Sequence, residues 1–348
     1  YTDNQDTYAE TSVNLTGSVW PVLRFLDQYR LALSDYAYVE ISSDGGNWTR
    51  VYGVSGARTN WAPQEVDLSE WKTYPNVRIR LRVATNPSVD GISVVDRGPQ
   101  ALPVPFYDGF EQGLSNWLER TWMLSTNVPA AGSNLLVDAL DVLRPNVYTR
   151  LPLGGRMDLS LTTDPRLTFR IRGYLRPNSA LHLQTSMDDG RTWGDLWTRG
   201  VNWETNEWTQ MSFSLIPYRS STFRVRFLLY SYSGTEPDVS FALDHFSIGE
   251  SAPGAPGLHS PALFGNTDSI RPTLKVQNAF DPDFDPLTYR FEVYDDQDLT
   301  NLMAQVPAVA SGVDLTAWQV DVNLPNSRQY WWRCRASDAS NTGPWMAT

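Results

Sequence analysis

The sequence contains one cysteine, three histidines and two lysines among its 348 residues. A single cysteine excludes an intrachain disulfide and a cysteine-based zinc site. The histidines, His182, His245 and His259, do not stand in an H-E-x-x-H or similar metal-binding spacing. The sequence also has no G-x-S-x-G elbow and no phosphate-binding glycine loop. We therefore predict a protein that is not an enzyme.

Long apolar runs and an excess of positive charge are also missing. No segment approaches the length of a membrane-spanning helix, so we predict no membrane insertion. The net charge of −11 argues against nucleic-acid binding, which requires a basic surface. An acidic chain without disulfides fits a secreted bacterial protein, located extracellularly or at the cell surface, with carboxylates available for Ca²⁺.

What the sequence does contain is an internal repeat of about 145 residues. Three segments recur in the same order. They are "PVLRFLDQYRL" (21–31) with "PRLTFRIRGYL" (165–175), "SSDGGNW" (42–48) with "SMDDGRTW" (186–193), and "NVRIRLRV" (76–83) with "TFRVRFLL" (222–229). Two copies of one domain explain this pattern.

The repeated segments have the periodicity of β-strands. In the third segment Val77, Ile79 and Leu81 alternate with Arg78 and Arg80. Alternation with a period of two residues is typical of half-buried antiparallel strands. We therefore predict an all-β fold of tandem antiparallel β-sandwiches.

The motifs resemble known extracellular domains. "DGFEQGLSNW", the S-x-D-G-G-x-W turn and "FALDHFSIG" are similar to the MAM-like jelly rolls of secreted bacterial metallopeptidases of the immune inhibitor A type. After the proline-rich joint "SAPGAPGLHSPAL", the segments "DPDFDPLTYRFEVY" and "YWWRCRASD" resemble a bacterial fibronectin type III domain. The resemblance implies two jelly rolls followed by an immunoglobulin/fibronectin III-like sandwich.

These observations predict three domains. Residues 1–98 form a jelly roll that is incomplete at its N-terminal side, because the "FE" opening is found only in the second copy. Residues 104–249 form a complete jelly roll. Residues 253–348 form a fibronectin type III-like sandwich whose last strand is missing. We expect the chain to be a window on a longer polypeptide.

Several residues are predicted to shape turns. The S-x-D-x-G-x-T-W signature of the second copy is an Asp box, in which a carboxylate accepts backbone N–H groups and a tryptophan closes the hairpin. Tyr330, six residues after Leu324, has the spacing of a tyrosine corner. The predicted turn residues of the two Asp boxes are Asp44, Gly46 and Trp48, and Asp188, Gly190 and Trp193.

Two groups of carboxylates are candidates for Ca²⁺, which takes six to eight oxygen ligands. The jelly-roll resemblance implies a site at Glu111 and Asp244, with Asp108 as a further ligand. The run "DPDFD" places Asp281, Asp283 and Asp285 in an alternating row that resembles the calcium runs of cadherin-like repeats. The alternative for both groups is that the carboxylates cap turns.

Two sets of side chains are candidates for ligand binding. Trp197, Trp203 and Trp208 follow the second Asp box and could stack on sugars; the alternative is that they belong to the core. Arginines on polar strand faces could bind a polyanion or an acidic glycan; the alternative is a solvated face paired with acids. These arginines are Arg78, Arg80, Arg170, Arg172, Arg224 and Arg226.

The function predicted from these features is a non-catalytic structural or adhesive segment of a larger secreted or surface protein. Its partners would be neighbouring domains of the same polypeptide, and like chains that pair through open sheet edges into a homo-oligomer or filament. The alternative is a carbohydrate-binding accessory region of a secreted peptidase or glycosidase, with glycans as partners. A glycosidase that uses two of the many carboxylates is a third hypothesis.

Overall fold

The chain divides into two compact units, residues 1–246 and 247–348. The first unit contains both copies of the repeat, because their strands join in one sheet. The computed structural model describes residues 7–31, 35–83, 87–118, 122–127, 129–130, 132–138, 148–175, 179–200, 203–231, 239–283 and 285–347.

The first repeat consists of seven described strands. A single 3-10 turn, Ser69–Trp71, lies between the fifth and sixth of them. The strands are β1 (Thr7–Val13), β2 (Pro21–Arg30), β3 (Ala37–Ser42), β4 (Thr49–Val54), β5 (Ala57–Asp67), β6 (Val77–Val83) and β7 (Pro87–Asp96).

The second repeat has the same series, preceded by three short strands without a counterpart in the described part of the first repeat. The short strands are β8 (Phe106–Asp108), β9 (Trp122–Ser125) and β10 (Leu135–Asp138). The remaining strands are β11 (Tyr148–Pro152), β12 (Arg166–Leu175), β13 (Ser179–Ser186), β14 (Gly194–Gly200), β15 (Trp203–Ser214), β16 (Arg224–Ser231) and β17 (Val239–Gly249).

One eight-stranded sheet runs through both repeats in the order β1-β6-β3-β4-β11-β16-β13-β14. Each repeat contributes four strands in the same relative order, and the two halves join where β4 pairs antiparallel with β11, at Gly53 and Tyr148. The predicted all-β fold of antiparallel sandwiches is confirmed. Within the described residues no helix is long and apolar enough to cross a membrane.

A second sheet closes each sandwich. In the first repeat its order is β5-β2-β7, and in the second it is β15-β12-β17-β10-β9, with β8 paired to β17. The strand alternation predicted from the sequence determines what lies between the sheets. Val77 and Ile79 are buried in the first core, and Phe223, Val225 and Phe227 are buried in the second. The intervening arginines therefore point to the opposite face of the eight-stranded sheet.

The second unit is a sandwich of two three-stranded sheets. Tyr289, Phe291 and Cys334 are fully buried in its core. The Tyr330 hydroxyl donates a hydrogen bond to the Pro325 carbonyl at 3.0 Å, five residues upstream. One sheet of the second unit contains, in order, β18 (Gly257–Ser260), β19 (Thr273–Gln277) and β22 (Leu315–Gln319). The other contains, in order, β21 (Leu302–Ala310), β20 (Thr288–Tyr294) and β23 (Trp331–Ser337).

Candidate functional site

The Asp-box turn of the first repeat connects β3 to β4. The Asp44 carboxylate accepts the backbone N–H groups of Gly46 and Asn47, each at 2.8 Å. Hydrogen bonds from the Asn47 backbone and side chain, then from Gly46, hold the pKa of Asp44 well below its ordinary value. The carboxylate therefore serves the turn.

The equivalent turn of the second repeat connects β13 to β14 and is one residue longer. Asp188 accepts the Thr192 backbone N–H at 2.9 Å and the Thr192 hydroxyl at 2.7 Å. The additional residue is Asp189, which has a φ of 59°. Asp189 accepts a hydrogen bond from Lys72 of the first repeat, 2.9 Å from the ammonium to the carboxylate. The longer turn thus takes part in the contact between the repeats.

The tryptophan that closes each turn stacks on an arginine of the neighbouring strand. The Arg80 guanidinium lies 3.9 Å from the Trp48 ring centroid, and Arg226 lies 4.2 Å from that of Trp193. These pairs occupy equivalent positions on β6 and β16. Each Asp box therefore positions an aromatic ring over the outer face of the eight-stranded sheet, where cation–π attraction retains it.

In the second repeat this outer face is covered by the first repeat. Arg150, Arg224 and Arg226 are 2%, 2% and 5% exposed. Asp67 binds Arg224 at 2.9 Å. Glu70 binds both Arg150 at 2.8 Å and Arg226 at 2.6 Å. We call residues 67–72, which present these carboxylates, the acidic turn.

The contact between the repeats also has an apolar part. Trp20 and Val22 of the first repeat pack with Leu118 of the second in a buried cluster. Asp67 itself is buried: burial alone would raise its pKa, but Arg224 and Ser69 hold the pKa below its ordinary value. The carboxylate is therefore ionised and paired at neutral pH.

Among the residues that the structure describes, none covers the same face of the first repeat in this way. Its side chains come from four neighbouring strands and the Asp-box turn, and we call this surface the arginine face. In register across the strands lie Tyr8 with Arg82 and Tyr38, then Glu10 with Arg80 and Glu40. The arginine face consists of Tyr8, Glu10, Tyr38, Glu40, Trp48, Arg50, Arg78, Arg80 and Arg82.

The charged groups of the arginine face are paired, and two of its arginines, Arg78 and Arg82, are accessible. Arg78 binds Glu10 at 2.7 Å with 43% of its side chain exposed. Arg80 binds Glu40 at 2.7 Å, and the Arg82 side chain, 3.8 Å from Glu40, is 38% exposed. Their counterparts Arg224 and Arg226 in the second repeat are almost fully buried.

Aromatic rings surround these arginines. Tyr8 is 60% exposed, and its ring centroid lies 5.1 Å from the Arg80 guanidinium. The Arg50 guanidinium lies 3.5 Å from the Tyr38 ring centroid, and Tyr36 stacks on Tyr38 at 5.8 Å. Rings held next to charged donors on an exposed sheet form a surface that can stack on a ligand and hydrogen-bond to it.

The three tryptophans predicted as sugar platforms have different surroundings. The Trp197 ring lies 6.3 Å from that of buried Phe169 and 6.2 Å from that of Phe213, so it packs against the sandwich interior. Trp208 is half-buried, with the Arg172 guanidinium 5.0 Å from its ring centroid. The side chain of Trp203 lies outside the described residues. The structure does not assemble these rings into one platform.

The jelly-roll carboxylates predicted to bind Ca²⁺ take hydrogen bonds from protein donors. Asp108 accepts from the Trp117 ring at 2.9 Å and from the Phe110 backbone at 2.8 Å. Glu111 accepts the backbone N–H groups of Ser133 and Asn134, each at 2.8 Å. Asp244 accepts that of Ala130 at 2.8 Å. These contacts fit the alternative, turn-capping role.

The carboxylates of the second unit are the described group whose ligand atoms lie close enough to share a cation. Oxygens of Asp281, Asp283 and Asp285 lie within 4.8 Å of one another. Burial is the main cause that raises the pKa of Asp281 to about 6, with Asp283 and Asp338 adding repulsion. Burial first, and then repulsion from Asp285 and Asp338, raise the pKa of Asp283. Such crowding is relieved by protons or by a cation, so the Ca²⁺ prediction at this site stays a prediction.

Sequence reasoning missed Tyr8, Tyr38, Arg50 and the acidic turn. The alternation of Tyr8, Glu10 and Ser12 in β1 was a usable signal, because it puts these side chains on one face. Nothing local indicated the acidic turn, since its carboxylates find their partners 80 to 157 residues further along the chain.

No family model matches the chain. No curated protein matches it either. Among solved structures it is similar to TmCBM61 in complex with β-1,4-galactotriose, at 16% identity and a TM-score of 0.30, covering 40% of this chain and 92% of that one. A CBM22 tandem from Paenibacillus barcinonensis Xyn10C matches at 13% identity and a TM-score of 0.30, covering 68% and 81%.

The Endo-D glycoside hydrolase domain from Streptococcus pneumoniae is also similar, at 16% identity and a TM-score of 0.31. That match covers 69% of this chain and 36% of the hydrolase domain. At these identities and TM-scores the likenesses do not extend to function.

Proposed function

We propose that the chain is a non-catalytic carbohydrate-binding region of a larger extracellular protein. The ligand binds at the arginine face of the first repeat. The observation that carries this proposal is the contrast between the repeats: equivalent sheet faces are covered in the second repeat and accessible in the first. Solved structures that are similar to parts of this chain include modules named for carbohydrate binding.

The chemistry of the arginine face suits a sugar polymer. Carbohydrates present flat C–H faces that stack on aromatic rings and hydroxyl groups that hydrogen-bond to charged side chains. Tyr8 and Trp48 offer the rings, each close to the Arg80 guanidinium. Arg78 and Arg82 offer exposed donors on the same strand. A half-buried guanidinium that is already oriented by Glu10 or Glu40 loses less side-chain entropy when a ligand binds.

A glycan array tests the proposal, with two matched variants. Trp48→Ala removes a ring from the arginine face, and Trp193→Ala removes the equivalent ring from the covered face of the second repeat. We expect the wild-type chain to retain a defined set of glycans. Trp48→Ala should lower the affinity by about tenfold, as expected for a lost stacking platform, while Trp193→Ala leaves it unchanged.

Thermal melting of both variants shows that each remains folded, so that a loss of binding is not a loss of structure. No binding across a broad array, or equal losses in the two variants, would contradict the proposal.

A structural role is the second candidate, and the continuous eight-stranded sheet favours it. The β4–β11 pairing and the buried Asp67–Arg224 ion pair join the two repeats into one unit. Such a unit suits a spacer between neighbouring domains of a longer polypeptide. If this is its work, calorimetry should show one unfolding transition for residues 1–246; separate transitions for the two repeats would argue against a rigid spacer.

A further inference from the structure

We infer that the arginine face binds an anionic polysaccharide whose sugars carry carboxylates, that is, a uronate-containing polymer. This inference rests on the proposed function and specifies its ligand class. The binding groups are Arg78, Arg80 and Arg82, with the Tyr8 and Trp48 rings beside them.

The second repeat shows what this kind of surface binds. There, Arg224 and Arg226 occupy the positions equivalent to Arg78 and Arg80, and both pair with carboxylates that the acidic turn brings from outside the repeat. Planar guanidinium groups match carboxylates in charge and geometry. The fold thus contains one example of the sheet face holding a carboxylate partner.

The first repeat carries arginines on this face at two further positions. At the position of Leu228 in the second repeat, it carries Arg82, and Arg50 of β4 lies beside Tyr38. The face therefore has four arginines and two glutamates, Glu10 and Glu40, in a chain whose net charge is −11. A local excess of positive charge attracts an anionic ligand even when the whole protein is acidic.

Donor capacity remains at Arg78 after its pair with Glu10 is made. Each guanidinium has five N–H donors, and Glu10 takes the Nε–H of Arg78. With 43% of the Arg78 side chain and 38% of the Arg82 side chain exposed, a ligand can reach both groups. Carboxylates spaced along a polymer can then contact several arginines at once, which raises avidity.

The aromatic rings favour a sugar over an acidic peptide. The rings of Tyr8, which is 60% exposed, and of Trp48 both lie next to Arg80. A uronate residue combines the two required features in one unit, because its pyranose face stacks on a ring while its carboxylate reaches a guanidinium. An acidic side chain of a peptide supplies only the second feature.

The test is calorimetric titration of the full chain, in EDTA to prevent gelling by cations, with four polymers. They are polygalacturonate, the same polymer with its carboxylates reduced to alcohols, dextran sulfate and poly-L-glutamate. We expect polygalacturonate to bind at least about tenfold more tightly than the other three, and the affinity to fall as salt is raised.

Two variants locate the binding. Arg78→Gln and Arg82→Gln should each weaken polygalacturonate binding by about fivefold to tenfold, because each removes a charged hydrogen bond. Arg191→Gln is the control: it removes the same charge from a side chain of the second repeat that is 54% exposed. It should leave the affinity unchanged, and melting curves confirm that all three variants are folded.

The outcomes separate the inference from the proposed function. Equal binding of the reduced polymer overturns the carboxylate requirement and leaves carbohydrate binding standing. If dextran sulfate binds equally well, the face recognises anions in general and not carboxylates in particular. If poly-L-glutamate binds equally well, the ligand is an acidic polypeptide and not a sugar. If both arginine variants bind with unchanged affinity, the arginine face is not the binding site. If polygalacturonate and a broad array of neutral glycans all fail to bind, both the inference and the proposed function fall.

Discussion

The two repeats share one sheet and the same strand order, and each has an Asp-box turn. Their outer faces nevertheless have different surroundings. In the second repeat, Arg224 and Arg226 are buried under the acidic turn. In the first, Arg78 and Arg80 pair with Glu10 and Glu40 of their own sheet, and Arg78 stays accessible. Duplicated domains can therefore use the same row of arginines for internal assembly in one copy and leave part of it accessible in the other.

The difference has a local origin in sequence. The acidic turn follows β5 of the first repeat; the second repeat has Ser214 and Pro217 where the first has Asp67 and Glu70. The second repeat thus lacks the carboxylates with which it could cover another sheet.

Breaking the covered face should have the largest effect on stability. Asp67→Asn leaves Arg224 buried without its counter-charge, and loss of one partner of a buried ion pair typically costs about 3–5 kcal/mol. We expect a decrease of that order in the free energy of unfolding, measured by urea denaturation.

The matched control is Glu10→Gln, which breaks the equivalent but accessible pair with Arg78. Exposed pairs contribute about 0–1 kcal/mol, so the loss should be small. Similar losses in the two variants would mean that the two faces are not energetically different.

Acid should weaken the covered face in the same way. The folded-state pKa of Asp67 is held below its unfolded value by Arg224 and Ser69, despite burial. The folded state then binds fewer protons, so this stabilisation is complete above about pH 4 and is lost as the pH falls further. The stability difference between the wild-type chain and Asp67→Asn should shrink below about pH 4; a difference that does not change with pH would contradict the assignment.

The fold and part of the site could be predicted from the sequence. The alternation of Val77, Ile79 and Leu81 with arginines depends only on neighbouring residues, and so it correctly indicates strands with one polar face. The repeated S-x-D-x-G turns are equally local. Both predictions need nothing beyond a short window of chain.

The rest depends on tertiary pairing that one sequence does not reveal. Arg224 has the same local context as Arg78, yet only Arg78 is accessible. The acidic turn, more than 150 residues away in the sequence, covers Arg224. Trp197 lies on an edge strand in a polar segment, but a register shift between Leu183 and Gln184 interrupts the pairing beside it. The ring packs against Phe169 instead of facing solvent.

The second unit offers a smaller effect. The pKa of Asp281 is raised to about 6, mainly by burial, so its folded state binds more protons and stability falls as the pH rises through 4 to 6. Asp281→Asn should therefore stabilise the cation-free chain at pH 7.5 by on the order of 1 kcal/mol, with no difference below about pH 4.

Asp321→Asn, at an exposed position of the same unit, is the control and should change little. In added Ca²⁺, a bound cation would raise the melting temperature of the wild-type chain and not that of Asp281→Asn. A melting temperature unchanged by both Ca²⁺ and EDTA would remove the calcium prediction.

Self-association should be the smallest effect. The free edges of the long sheet are β1 and β14 within the described residues, and pairing between chains would place β14 of one against β1 of the next. The second repeat has no acidic turn to cover the next arginine face, so we expect sedimentation velocity to show monomers. Concentration-dependent filaments that Glu70→Gln does not affect would instead support the prediction of edge pairing between like chains.

The central claim is that the accessible face of the first repeat, and not the tryptophans of the second, binds the ligand. Hydroxyl-radical footprinting of the full chain, with and without the tightest-binding glycan from the array, tests it residue by residue. We expect the ligand to protect Tyr8, Tyr38 and Trp48 and to leave Trp197 and Trp208 unchanged. Protection of Trp197 and Trp208 with no change at Tyr8 and Trp48 would contradict it.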